Sequence, residues 1–86
     1  MELNDTVEMM NSSDYKERFK AEYYQTKIRY EKLKKFNSKI EAATWSESVD
    51  MPKHDCPADL LIKQEFEMGE YLHILEVRAE IEVIKL

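Results

Sequence analysis

One glycine, Gly69, and two prolines, Pro52 and Pro57, are the only strong backbone punctuation in this chain of 86 residues. An all-β sandwich or barrel needs turn residues roughly every ten positions, so neither architecture fits. No Walker-type or dinucleotide-type phosphate loop can be written with a single glycine. Helix is what remains, and its period is visible. Phe19, Tyr23, Thr26, Tyr30, Leu33, Asn37 and Ile40 step alternately by four and three residues. That spacing places them on one face of a helix running from Asp14 to about Ala43. Tyr24, Ile28 and Phe36 widen the seam. Asp14 followed by Glu17 has the form of a capping box, with Ser12 and Ser13 as alternative caps.

Thr44 to Asp55 loses the period and reads as a connection, with Pro52 disfavouring helix at Met51 and Trp45 expected to pin the loop onto the helices. A second helix is expected from Asp55 to about Glu82. Asp55 is its candidate N-cap, Pro57 lies in its first turn, and Asp59 favours the positive helix end. Leu61, Met68, Leu72, Leu75 and Ala79 form its inner face, flanked by Leu60, Tyr71 and Ile74. The stretch Ala79 to Val83 alternates like a strand, but a lone short strand has no partner, so a fraying helix is expected. Residues 1–13 are acidic and without period, and read as a flexible tail or a segment that orders only on assembly. The expected fold is therefore all-α: a tail over 1–13 and an antiparallel helical hairpin over 14–86. Chains this short bury only about 60% of their unfolded surface. Two long helices cannot hide both apolar faces, so a helical homo-oligomer is expected.

The net charge of −5 is unevenly spread. Residues 15–40 carry nine bases against three acids and hold most of the aromatics, whereas the segments on either side are acidic. A basic zone within an acidic chain can attract a small anion. It is too narrow a footprint for duplex DNA. Cys56 is the only cysteine, so no disulfide forms within the chain, as suits a reducing compartment. The start of the chain has no signal-peptide character, and no apolar run is long enough to span a membrane.

Candidate chemistry is sparse. His54-Asp55-Cys56 imitates a catalytic trio, but neighbours in sequence rarely converge on one reacting atom. The bland reading is a loop histidine, a helix cap and a small thiol. His54, Cys56 and His73 lack zinc-site spacing. The glutamates of the second helix read as a solvated face. No catalytic residue, metal site or cofactor is assigned. The zone from Tyr15 to Lys39 is more informative, because aromatic faces stack on bases and Lys or Arg carries charge for phosphate. Tyrosines at heptad spacing are also ordinary core residues, and both readings stay open. A hairpin has no pocket of its own, so a small-molecule site would form between subunits.

The segments Asp55-Cys56-Pro57-Ala58-Asp59-Leu60-Leu61, Met68-Gly69-Glu70-Tyr71-Leu72 and Leu75-Glu76-Val77-Arg78-Ala79-Glu80-Ile81-Glu82 carry a resemblance to a family. So do Tyr15-Lys16-Glu17-Arg18 and Tyr30-Glu31-Lys32-Leu33. Together they resemble a family of small tailed-phage proteins related to a crAss-like phage protein, over roughly residues 14–86. That family places Gly near the position of Val83, and this chain does not. The layout is also similar to the helical-hairpin anti-CBASS sponges, which hold cyclic nucleotide messengers between protomers without turnover. The resemblance implies a phage anti-defence protein of the host cytoplasm, not an enzyme, that sequesters a cyclic oligonucleotide or cyclic ADP-ribose-type messenger. It makes Lys27 and Arg29 the phosphate candidates and Tyr15 or Tyr23 the base-stacking candidate. Tyr30 completes the best-matched stretch, and Arg78 is a contact from the second helix. The alternatives are a helical module that inhibits a host protein and a structural coiled-coil accessory.

Overall fold

A computed structural model describes residues 1–86. A 3-10 turn, Leu3–Thr6, runs into a short helix α1, Val7–Met10; two long helices follow, α2 at Tyr15–Trp45 and α3 at Ala58–Glu82, and there is no strand. The molecule is a rod of 50 × 25 × 19 Å with a radius of gyration of 15.9 Å. A compact domain of this length would have about 12 Å. No helix is long and apolar enough to cross a membrane.

α2 and α3 pack antiparallel. Tyr15 meets Glu82, Tyr23 meets Glu76, and Asn37 meets Leu61 and Glu65, so partner numbers fall as α2 advances. The expected seam lies between them. Phe19, Tyr23, Asn37 and Ile40 are buried, while Thr26, Tyr30 and Leu33 are half-buried. The expected inner face of α3 is also inward: Leu72, Leu75 and Ala79 are buried, with Leu61 and Met68 partly covered. Phe19, Tyr23, Leu72, Leu75, Ala79 and Ile84 form one core cluster, with Tyr24 and Tyr30 packed against it. The flanking Leu60, Tyr71 and Ile74 are exposed.

The helix ends differ in detail from the sequence reading. Asp14 caps α2 by accepting from the Lys16 N–H at 3.0 Å. Glu17 does not close a capping box but pairs with Lys20 at 3.4 Å, and the Asp14 N–H goes to Ser12 Oγ. At α3 the cap is Pro57, not Asp55. Its carbonyl accepts from the N–H groups of Leu60 and Leu61, so the helix starts two residues later. Trp45 does not pin the connection, because it is 83% exposed at the last turn of α2. Phe36 and His54 hold the loop instead, edge to face at 6.3 Å.

Residues 1–13, read from sequence as a flexible acidic tail, are folded against α2 over most of their length. The Glu2 N–H donates to Asp5 Oδ2 and nucleates the first turn. Thr6, fully buried, donates to the Leu3 carbonyl and accepts from Gln25 Nε2 at 2.9 Å. Gln25 also reaches Met10 Sδ. Ala21, one turn before Gln25 on the same side of α2, is buried on the flank away from the hairpin seam. A threonine and a glutamine supply this docking, and neither leaves a hydrophobic period to read.

The end of α3 is a single strained residue. Val83 is left-handed, at φ 57° and ψ 51°. Its N–H and that of Ile84 both return to the Ala79 carbonyl, the latter at 2.8 Å, and Ile84 turns into the core. The position is one that glycine normally fills, and a β-branched residue there costs about 1–2 kcal/mol. Val83→Gly is expected to stabilise the fold by about 1 kcal/mol, because the lost side chain is 79% exposed and packs on little. A thermal melt should show a midpoint raised by about 5 °C; a lowered midpoint would mean that Val83 contributes packing instead.

Candidate functional site

The six residues singled out from sequence fall into three places along the rod. At the open end Tyr15 and Arg78 come together. Arg78 donates to the Tyr15 hydroxyl at 2.6 Å, and that hydroxyl donates to Glu82 Oε1 at 2.9 Å. Arg78 also pairs with Glu82 at 3.0 Å and lies over the Phe19 ring at 5.0 Å from its centroid. The hydrogen bond to Glu82 raises the Tyr15 pKa, and the same contact lowers that of Glu82. Arg78 is held still more firmly protonated, first by its hydrogen bond to Glu82. Glu82 and Tyr15 engage Nε and Nη2 of this exposed side chain and leave Nη1 for a further acceptor. Tyr15 keeps an exposed ring and remains accessible for stacking.

Tyr23 is placed differently. It is buried in the hairpin core, donates to Glu76 Oε2 at 2.7 Å, and sits edge to face with Tyr24 at 5.2 Å. Burial, helped by the bond to Glu76, pushes its pKa up to about 12. A ring enclosed in this way supports the helix pair and offers no free face for a base. Lys27, one turn on, lies 5.8 Å from the Tyr23 centroid. It borders an open groove with Tyr24, Ile28, Glu31, Lys32 and the start of the chain at Met1 and Glu2. Arg29 is exposed. Two residues on from Lys27, it leaves α2 on nearly the opposite flank of the seam, since i and i+2 do not face each other. Lys27 and Arg29 of one chain therefore do not converge on one phosphate.

Tyr30 is half-buried against α3 at Gly69. A Cβ added to Gly69 would lie 3.3 Å from Tyr30 Cε1 and 3.5 Å from its hydroxyl, so the one glycine in the chain makes room for this ring. Around it Ile62, Glu65, Phe66 and Glu70 of α3 line an open groove. Lys34 Nζ stands 5.9 Å from the Tyr30 centroid. Lys34 is a candidate cation that sequence reasoning missed, although its spacing of four from Tyr30 signals it. Lys34 also lines a groove with Asn37, Trp45, Ala58, Asp59 and Ile62 at the loop end.

Two further features had no clear signal. Three glutamates expected on a solvated face join the helices instead. Glu76 and Glu82 accept from tyrosines of α2, and Glu65 accepts from Asn37 Nδ2 at 2.9 Å. Tyr71 of α3 donates the other way, to Glu22 at 2.9 Å, and burial raises its pKa. Asn37 Oδ1 is buried and without a hydrogen-bond partner. The His54-Asp55-Cys56 trio is not arranged for nucleophilic chemistry. His54 Nδ1 lies 2.6 Å from the Cys56 carbonyl oxygen, and the free Cys56 thiol is exposed. No three His, Cys, Asp or Glu side chains cluster as a metal site would require.

The raised tyrosine pKa values give a sign for pH dependence. A group whose pKa rises on folding stabilises fully below its unfolded value near 10 and ceases to do so as pH climbs through the folded value. For Tyr23 that window runs from about 10 to about 12, and the loss amounts to about 2–3 kcal/mol. Helicity followed by circular dichroism should fall in that window, and Tyr23→Phe should flatten the fall. An unchanged alkaline profile in that variant would remove Tyr23 as its source.

A family model described as Sequestin matches residues 13–81. No curated protein and no solved structure matches the chain.

Proposed function

The chain belongs to the Sequestin family, and from that membership we propose that it is a phage anti-defence sponge acting in the host cytoplasm. It sequesters a cyclic nucleotide immune messenger, a cyclic oligonucleotide or a cyclic ADP-ribose-type molecule, at subunit interfaces and without turnover. The family's name denotes holding a molecule rather than converting it. The observation that carries the ligand class is the closeness of cations to tyrosines along α2, Lys27 with Tyr24 on one open groove and Lys34 over Tyr30 beside another. Rings and cations together suit a ligand that carries both a base and a phosphate. Open grooves become an enclosing site only when a second copy supplies the other wall.

In this reading Tyr15 stacks on the base, since its ring is exposed, while Tyr23 props the helix that presents Lys27. Lys27 and Arg29 serve phosphates of different sites, because they leave α2 on different flanks. Tyr30 forms the floor of the groove beside Gly69. Arg78 positions Tyr15 and keeps Nη1 for a phosphate. The action is mass action: an abundant tight binder lowers the free messenger below what the effector needs. A second reading, a helical module that inhibits a host protein, is favoured by the seven large hydrophobic residues that α3 leaves exposed.

A thermal shift against a panel of cyclic nucleotides tests the proposal. Ligand at 100 times its dissociation constant stabilises by about 2.7 kcal/mol, which for a domain of this size is a shift above about 10 °C. Lys27→Glu combined with Arg29→Glu should abolish the shift and leave the solution mass unchanged. No shift with any member at millimolar concentration would overturn the sponge and favour the host-protein reading.

A further inference from the structure

Residues 1–13 carry three acids, Glu2, Asp5 and Glu8, and no base, and they dock on the basic helix α2. The docking follows one stripe of that helix. Ala21, Gln25, Ile28 and Lys32 step by four, three and four residues, so they share a flank. Ala21 is buried there, and Gln25 binds Thr6 and Met10. Further along the same stripe, Met1 and Glu2 line a groove of about 450 Å³ with Ile28 and Lys32. The segment thus runs antiparallel to α2 and brings its first carboxylate to the lysine end of the stripe.

Along α2 the same groove is lined by Tyr24, Lys27, Ile28, Glu31 and Lys32. Tyr24 and Ile28 are half-buried, and Lys27 and Lys32 are exposed on its two rims, about 140° apart round the helix axis. Lys27 and Lys32 therefore meet in one groove, as Lys27 and Arg29 do not. Neither lysine is spent on a carboxylate, since the ion pairs of the chain are Lys20 with Glu17 and Arg78 with Glu82. Two free ammonium groups beside a tyrosine ring suit a phosphate carried on a base. The carboxylate of Glu2 at the far wall opposes it. We propose that Lys27 and Lys32 form a phosphate-binding groove, and that residues 1–12 are an acidic strap that guards it and lowers its affinity until the strap swings away.

The strap is thinly attached. Thr6 is the one buried residue among residues 1–13, and the core cluster contains none of them. No strap carboxylate pairs with a base of α2. Gln25 holds Thr6 and Met10, and Arg18 Nη1 donates to the Ser12 carbonyl at 2.9 Å where the chain turns into α2. Segments with so few buried contacts open at low cost in free energy. An anion that binds better with the strap away shifts the balance towards the open form. Residues 1–12 also lie outside the span matched by the family model, 13–81, so the strap is an addition to the hairpin that the family shares. This deepens the sponge reading and rests on it for the identity of the ligand. The preference of the groove for an anion does not.

Amide NMR of the full chain tests the strap, with sodium pyrophosphate as the probe and ionic strength held constant by sodium chloride. Signals between Tyr24 and Lys32 should move and saturate. Glu2→Gln, Asp5→Asn and Glu8→Gln together should tighten binding by about threefold or more, since they remove the competing charge. Gln25→Leu, which releases Thr6 from outside the groove, should tighten it too and should speed amide exchange at Val7–Met10. Lys32→Gln should weaken binding by about tenfold, well beyond Lys39→Gln, which removes the same charge away from the groove. The proposal is overturned if pyrophosphate leaves residues 24–32 unmoved, if the neutral strap binds it no more tightly, or if Lys32→Gln and Lys39→Gln weaken it alike. The thermal shift with cyclic nucleotides is scored separately. Pyrophosphate binding that tightens as expected, without any nucleotide shift, upholds the guarded groove and sinks the messenger alone. A nucleotide shift with an unmoved groove sinks the guarded groove alone.

Discussion

A single seam between two antiparallel helices has to supply nearly all of the burial in this protein. Ten of its 86 residues are buried, and most of the core cluster sits at the open end of the hairpin. Such a seam is apolar only in part. Tyr23, Tyr15 and Asn37 reach across it from α2, and their polar ends meet Glu76, Glu82 and Glu65 on α3. Tyr23 thus contributes ring area to the core, and both tyrosines fix the register with their hydroxyls. Asn37 does the same towards the loop, where it also donates to the Leu61 carbonyl at 3.1 Å. Polar groups at seam positions specify register at some cost in stability, and the unpartnered Asn37 Oδ1 is a visible part of that cost.

This division of labour explains why the aromatic zone is so hard to apportion by composition. The same tyrosine type serves as core at Tyr23, as an exposed ring at Tyr15 and as a groove floor at Tyr30. What separates them is the partner on α3: Glu76 under a buried ring, the Arg78–Glu82 pair under an exposed one, and Gly69 where a ring must lie close to backbone. The basic residues follow suit. Lys27 and Lys34 lie against rings, while Arg29 projects alone.

The helices, their shared seam and the inner face from Leu61 to Ala79 were legible because they follow from periodicity, which depends on residue spacing alone. The N-terminal docking was not, since it depends on the pairing of Thr6 with Gln25 across 19 residues. Trp45 misled because a large aromatic is normally a buried one, and here the pairing of α2 with α3 gives it no roof. The start of α3 was misplaced because Asp55 is the better cap by residue type, whereas Pro57 fixes the backbone angle at which the helix begins. The candidate site was legible as a zone but not as a set. Spacing on one helix shows that Lys27 and Arg29 diverge, but only the fold shows that Arg78 is already engaged by Glu82 and that Lys34 stands over Tyr30.

Thermodynamic linkage ties the proposed ligand to the assembly that would hold it. A ligand seated between copies binds the assembled state and not the separate chains, so it tightens the assembly by as much as the assembly tightens the ligand. A small core is then no handicap. A hairpin with its own closed pocket would need a thicker molecule, with more chain to order. A hairpin that borrows the second wall from its copy needs no such thickness. The proposed assembly would close the grooves that one chain leaves open, and a chain of 86 residues is long enough to take part in it.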